Sequence, residues 1–195
     1  MPELVPLQPL QPAPVPKEDP SMPGRPARAL AFFGADFAMA SGVAPGALMN
    51  VSPFIGWRSP STTALAPAFR LSLLRANETA DVPGGSAWFL WTVGRLDSCI
   101  LSWPPERVRF QACARIDAGT LQAYGPNGET TRGWFSAGPV VRAEWFLISP
   151  LFVEVEGAAM VHVTGNEFTF APGVIAYEVP LFGFETSAGV GVHFL

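Results

Sequence analysis

The last stretch of the chain, Phe182-Gly183-Phe184-Glu185-Thr186-Ser187-Ala188-Gly189-Val190-Gly191-Val192-His193-Phe194-Leu195, constrains the fold more than any other. Its even positions Phe182, Phe184, Thr186, Ala188, Val190, Val192 and Phe194 form one mostly apolar face. Gly183, Glu185, Ser187, Gly189, Gly191 and His193 form a small or polar face. Alternation with period two marks a β-strand with unlike faces. The run also exceeds the ~5 to 6 residues of an ordinary globular strand.

Similar runs fill the chain from Ala29 onward, eight in all. The first, about 29–43, sets Phe33, Ala35, Phe37 and Met39 against Gly34, Asp36, Ala38 and Ala40. The second, 47–58, sets Met49, Val51, Pro53, Ile55 and Trp57 against Asn50, Ser52, Gly56 and Arg58. The third, about 64–76, alternates Phe69, Leu71 and Leu73 with Arg70 and Ser72. In the fourth, about 86–101, Phe89, Trp91 and Val93 read as the apolar face, yet Arg95 and Asp97 share their parity. A bulge near Gly94 would exchange the faces and repair the pattern. The fifth, 108–124, opposes Phe110, Ala112, Ala114, Ile116 and Ala118 to Arg109, Gln111, Cys113, Arg115, Asp117 and Gly119. The sixth, 133–147, opposes Phe135, Ala137, Val141, Ala143, Trp145 and Leu147 to Ser136, Gly138, Arg142 and Glu144. The seventh, 151–164, opposes Val153, Val155, Ala159, Val161 and Val163 to Glu154, Glu156, Ala158 and His162. Connections at 59–62, 102–107 and 148–150 are short, whereas 77–85, 125–132 and 165–181 read as longer loops. An even strand number puts both termini on the side of the short turns.

Composition decides which face looks outward. Only 14% of residues are charged while 49% are hydrophobic, against about 25% charged in ordinary soluble domains. Lys17 is the sole lysine beside eleven arginines, and arginine suits fixed, bidentate pairing with carboxylates in confined places. The polar face is crowded with Gly, Ala and Ser, which a narrow interior needs for space. The apolar face carries Phe33, Phe37, Trp57, Phe89, Trp91, Phe110, Phe135, Trp145, Phe182, Phe184 and Phe194, too much bulk for the centre of an eight-stranded barrel. The expected architecture is therefore all-β: an eight-stranded antiparallel up-and-down transmembrane barrel over 29–195. The alternative is a soluble, lipocalin-like ligand-binding barrel with the faces reversed. A net charge of −4 gives no basic footprint for nucleic acid. The uncharged run 37–57 is long enough for a membrane helix, but Gly42, Pro45, Gly46, Pro53 and Gly56 make it a hairpin.

With this pattern and its Phe-terminated last strand, the chain resembles the small eight-stranded outer-membrane β-barrels of bacteria, the OmpA-like and OmpX-like group. The resemblance covers about 29–195, and its most specific part is the terminal strand, where Phe182, Phe184, Val190, Val192 and Phe194 match the assembly signal. Phe194 is penultimate here, with Leu195 after it, a departure from the signal. The resemblance implies an outer-membrane location with periplasmic N- and C-termini. It also implies contact with outer-membrane lipid and lipopolysaccharide, insertion by the barrel assembly machinery, and a plugged scaffold rather than a wide pore. Met1-Pro2-Glu3 lacks the regions of a secretory signal; the expectation is that a signal was removed before Met1, the alternative that the protein is not exported. Residues 1–28 hold nine of the 21 prolines and read as a disordered or polyproline linker, able to serve a periplasmic partner.

Turned this way, the interior acquires Asp36, Arg58, Arg70, Arg109, Arg115, Asp117, Arg142, Glu144, Glu154, Glu156 and Glu185. Buried charges must be paired, so a salt-bridge network is expected to close the lumen. Glu185 is expected to meet an arginine across it. Cys99 and Cys113 are equidistant from Glu106 in the turn between runs four and five. Antiparallel pairing places them opposite one another for a disulfide; a bulge that broke their register would leave two free thiols. Two Cys and two His are too scattered for a metal site, and no cofactor motif occurs. His162-Val163-Thr164 with Glu167 is similar to the His-x-Ser of lipid A deacylases, but Thr stands for Ser and a polar rim residue is the plainer reading. The expected role is structural or surface-interacting rather than enzymatic, with a narrow channel for small solutes as the alternative within the membrane.

Overall fold

The two ends of the sheet meet. In the computed structural model, which describes residues 30–60, 64–82, 85–103, 107–125, 128–165, 167–171 and 174–194, ten strands follow one another. They are β1 (Leu30–Ser41), β2 (Leu48–Arg58), β3 (Leu65–Val82), β4 (Gly85–Trp103), β5 (Val108–Gly125), β6 (Gly128–Ile148), β7 (Leu151–His162), β8 (Glu167–Ala171), β9 (Val174–Glu178) and β10 (Phe182–Phe194). Eight of them close into an antiparallel barrel in the order β1-β10-β7-β6-β5-β4-β3-β2. The closing ladder runs from Ala31↔Phe194 to Ser41↔Phe184, so neither edge is left open to pair with another chain. The Pro-rich segment 1–28 lies outside the described residues, as does the centre of the β4–β5 turn at Glu106.

β1 starts and β10 ends at one end of the barrel, which also carries the short β2–β3, β4–β5 and β6–β7 connections. At the opposite end the structure corrects two expected loops. Segments 77–85 and 125–132 continue as ladders, Asn77↔Leu90 to Val82↔Gly85 and Thr120↔Gly133 to Gly125↔Gly128. Backbone groups that would otherwise need water pair with each other instead. Gly85 at φ 136° and Gly128 at φ 135° supply the left-handed turn geometry that closes each hairpin. The 165–181 connection holds a further hairpin, β8–β9, a separate two-stranded sheet that is not part of the barrel wall.

Outward positions follow the alternation in most strands: Val51, Ile55, Leu71, Leu73, Val141, Val155 and Phe184 are all well exposed on the outer wall. β4 departs from expectation. Phe89, Trp91 and Val93 point inward together with Arg95 and Asp97. The ladder is unbroken at Gly94, which pairs Leu73 on one side and Ala118 on the other. The irregularity on the β5 side lies between Cys99 and Leu101 instead. The parity was continuous because the interior itself changes character along the barrel axis.

Three layers fill that interior. Toward the terminus-bearing end, Phe32, Phe54 and Phe152 pack with Phe146. Inward glycines make room for these rings: a Cβ at Gly56 would lie 2.2 Å from Phe32 Cζ, and one at Gly191 would lie 2.3 Å from Phe152 Cζ. Each glycine sits directly across the ladder from the ring it accommodates, Gly56 from Phe32 and Gly191 from Phe152. The middle layer is charged. The far layer is an apolar cluster in which Leu48, Leu74, Phe89, Trp91, Leu121 and Trp134 meet Phe168 and Val179 from around the extra hairpin. Phe168 stands edge-on to Phe89 at 5.9 Å. The Tyr177 hydroxyl donates to the Ala44 carbonyl at 3.0 Å. Burial, and secondarily the nearby Glu78 charge, push that hydroxyl up to about 12, so it remains a donor throughout the neutral range.

Candidate functional site: the charged interior

Strand alternation brings side chains from seven strands to the middle layer. Arg70 comes from β3, Arg95 and Asp97 from β4, Arg115 and Asp117 from β5, Arg142 from β6, Glu154 and Glu156 from β7, Glu185 from β10 and Asp36 from β1. All are buried. Removing a charge from water costs several kcal/mol unless partners and hydrogen bonds replace the solvent. Here every charged group has an ion-pair partner, though Asp36 Oδ1 and Glu154 Oε2 accept no hydrogen bond among the described residues. The β4–β5 register sets Arg95 opposite Asp117 and Asp97 opposite Arg115. Both pairs are two-pronged, the geometry in which guanidinium and carboxylate match best. Arg95 Nε and Nη2 donate to Asp117 at 2.8 and 3.0 Å. Arg115 Nε and Nη2 donate to Asp97 at 2.7 and 3.0 Å.

Other contacts tie this hairpin across the lumen. Glu185 accepts from Arg95 Nη1 at 2.5 Å and from Arg115 Nη1 at 3.0 Å. Glu156 accepts from Arg115 Nη2 at 2.6 Å and from Arg142 Nε at 2.9 Å. Arg142 Nη2 also reaches Asp97 at 2.5 Å. Arg70 bridges Asp36 and Glu154, the latter at 2.6 Å, and its guanidinium carbon lies 3.7 Å from the Phe54 ring centroid. Glu144 sits apart from this group, nearer the terminus-bearing end, where it pairs with Arg58 and lies 3.9 Å from Arg109.

Sequence reasoning missed Arg95 and Asp97 as members of the group. The signal was available: the register that opposes Cys99 to Cys113 also opposes Arg95 to Asp117 and Asp97 to Arg115. The expected exchange of faces near Gly94 already turns both residues inward, so only their pairing partners, fixed by the register, were missing.

Cys99 and Cys113 form a disulfide beside this layer, packed against Ala68, Val140, Ala158 and Met160. The bridge closes a hairpin with a sequence separation of 14, for which chain-entropy arguments give about 3 kcal/mol. Unreduced, denatured protein treated with an alkylating agent is expected to show no labelled cysteine by mass spectrometry, and reduction is expected to lower the urea midpoint. Labelling of both thiols before reduction would contradict the bridge.

Of the terminal residues, Phe182, Phe184, Val190 and Phe194 are exposed on the outer wall and Val192 is half-buried there. Phe194 stacks on Phe33 of β1 at 4.9 Å. His162 points inward against the Trp134 ring, and its Nδ1 faces the Pro180 carbonyl at 2.8 Å. Thr164 Oγ1 accepts the Phe135 N–H at 3.2 Å, and Glu167 is exposed. A base held by a carboxylate and aimed at a hydroxyl, the arrangement nucleophilic catalysis requires, is not how these groups are disposed.

Several solved structures share the fold. A major outer membrane protein from Thermus thermophilus matches with a TM-score of 0.61 at 14% identity, over 86% of this chain and 100% of that one. The N-terminal β-barrel domain of OprF from Pseudomonas aeruginosa matches with 0.53 at 11% identity, over 85% and 97%. Neisserial surface protein A matches with 0.52 at 14% identity, over 85% and 97%. At such identities the likeness is one of fold. No protein-family model and no curated protein matches the sequence.

Proposed function

We propose that this chain, which has the fold of small eight-stranded outer-membrane barrels, is an integral outer-membrane protein with a closed lumen and a structural or surface-interacting role. One observation carries the reading: the barrel is inverted relative to a soluble one. Its outer wall is a belt of exposed Leu, Val, Ile and Phe, while arginines and carboxylates are buried within. In water such a wall would be a large apolar patch of the kind that drives association; against lipid it is the required surface. Trp57, Trp103 and Trp145 lie exposed toward the terminus-bearing end, where an interfacial aromatic girdle would be. The named neighbours include outer-membrane and surface proteins.

The short connections on the terminus side and the extended hairpins opposite support periplasmic termini and external hairpins. The exposed Phe182, Phe184, Val190 and Phe194 would then be read by the barrel assembly machinery and afterwards covered by lipid and lipopolysaccharide. The segment 1–28 would extend into the periplasm toward a partner there.

Stacked layers of Phe32 and Phe152, the paired charges, and the Trp91–Trp134–Phe168 cluster favour a scaffold over a solute channel. Protein refolded in detergent is expected to migrate faster unheated than boiled, to sediment when detergent is removed, and to give no discrete conductance steps in planar bilayers. Stable steps would favour the channel, and a monomer soluble without detergent would sink the membrane reading.

A further inference from the structure

At the terminus-bearing end, Arg58, Arg109 and His193 converge with Phe146, Leu151 and Phe194 on a cavity of about 450 Å³. We propose that this cavity binds an oxyanion of the phosphate or carboxylate class, gripped by the guanidinium groups of Arg58 and Arg109.

Charge balance separates this place from the middle layer. There, four arginines meet six carboxylates; here, among the described residues, two arginines meet only Glu144, a local positive surplus. Arg58 is buried and spends Nη2 on Glu144, while its Nε and Nη1 have no hydrogen-bond partner among the described residues. Arg109 Nη1 has no hydrogen bond among the described residues either, its ion-pair partner Glu144 Oε2 standing 3.9 Å away. Burying such donors without acceptors costs about 1–3 kcal/mol each, which an anion in the cavity would repay. The planar fork of arginine matches the oxygens of phosphate and carboxylate two at a time.

Both guanidinium groups are held in place by aromatic rings. Arg58 Cζ lies 5.1 Å from the Phe32 centroid and Arg109 Cζ lies 5.1 Å from the Phe146 centroid. His193 stacks on Phe152 at 4.5 Å, and its backbone N–H donates to the Pro150 carbonyl at 3.0 Å. Neither of its ring nitrogens has a hydrogen-bond partner among the described residues, so it offers a further donor or acceptor to the same ligand. Glu144 Oε2, also without a hydrogen bond, limits the positive surplus and can accept from a ligand hydroxyl. The apolar walls suit an anion carried on an apolar body, and the volume falls within the ~300–1,000 Å³ of small-molecule sites.

The test uses full-length protein refolded in a maltoside detergent, whose head group carries no phosphate. Inorganic phosphate, methyl phosphate and acetate are titrated while the arginine Nε–H and His193 ring signals are followed by NMR. Saturable shifts of the Arg58 and His193 signals are expected, with affinity weakened about tenfold, or ~1.4 kcal/mol, in Arg109→Gln and unchanged in Arg132→Gln at the opposite end. Arg109 is partly exposed, and heat-modifiable migration of Arg109→Gln verifies its folding. Nanodiscs of phosphatidylglycerol and of an uncharged glycolipid identify the source of the anion. Shifts in the first without added anion indicate a lipid head group, and shifts only with methyl phosphate indicate a soluble ligand; either supports the site. No saturable shift with any probe, or equal affinity in Arg109→Gln, overturns it.

Discussion

Replacing Arg115 by methionine is expected to destabilise the folded barrel by about 3–5 kcal/mol, the cost of leaving buried charge uncompensated. Methionine keeps much of the apolar stem but removes the cation that Asp97, Glu156 and Glu185 share. Urea unfolding in lipid vesicles, followed by tryptophan fluorescence and by loss of the fast-migrating band, measures the change. Adding Glu185→Gln to Arg115→Met is expected to restore part of the loss, because it removes one of the stranded carboxylates, and Arg95 keeps its two-pronged partner Asp117. A loss below about 1 kcal/mol, the range of exposed ion pairs, would mean that the middle layer is wet and screened.

Leu71→Arg is the complementary change on the other side of the wall. Leu71 is exposed and lies between Ile55 and Leu96 in the ladders, beside inward-facing Arg70 and level with the charged layer. Against the middle of a bilayer an arginine there is expected to cost about 2–4 kcal/mol. On a water-facing wall the same substitution would fall within about 0.5 kcal/mol of neutral. Unfolding of Leu71→Arg in lipid vesicles beside the parent protein therefore reads out which medium the wall faces. An unchanged midpoint would argue for the soluble, reversed barrel.

Period-two alternation made much of this fold legible. It placed Phe33 and Phe37 outside and Asp36 inside on β1, and likewise Val153 and Val155 outside with Glu154 and Glu156 inside on β7. It also required β1 and β10 to meet, and they do. What alternation cannot carry is the chemistry of the inner face, which is set by depth. The reading of β4 assumed a polar lumen throughout, so Phe89, Trp91 and Val93 were turned outward at the cost of a bulge that does not exist. The far layer is apolar because the β8–β9 hairpin brings Phe168 to it, a contact between residues distant in sequence that no local pattern encodes. Hairpins 77–85 and 125–132 were read as loops because they are polar on both sides, as a ladder extending into water would be. The charged layer was mostly visible, since its members alternate with apolar neighbours; its pairing needed the register.

Backbone pairing between β2 and β3 runs only from Phe54–Arg58 against Ala68–Ser72, whereas β3 and β4 pair along almost their whole length. A hoop parts first at its weakest joint, and by its ladder this is the joint. Yet Arg70, rooted in β3, reaches past β2 to Asp36 of β1 and across to Glu154 of β7. The guanidinium thus acts as a buckle fastened over a short seam, adding to the ladder there a tie between strands that the ladder does not join. Cutting the buckle would let that stave swing before any other, with the rest of the cylinder still standing.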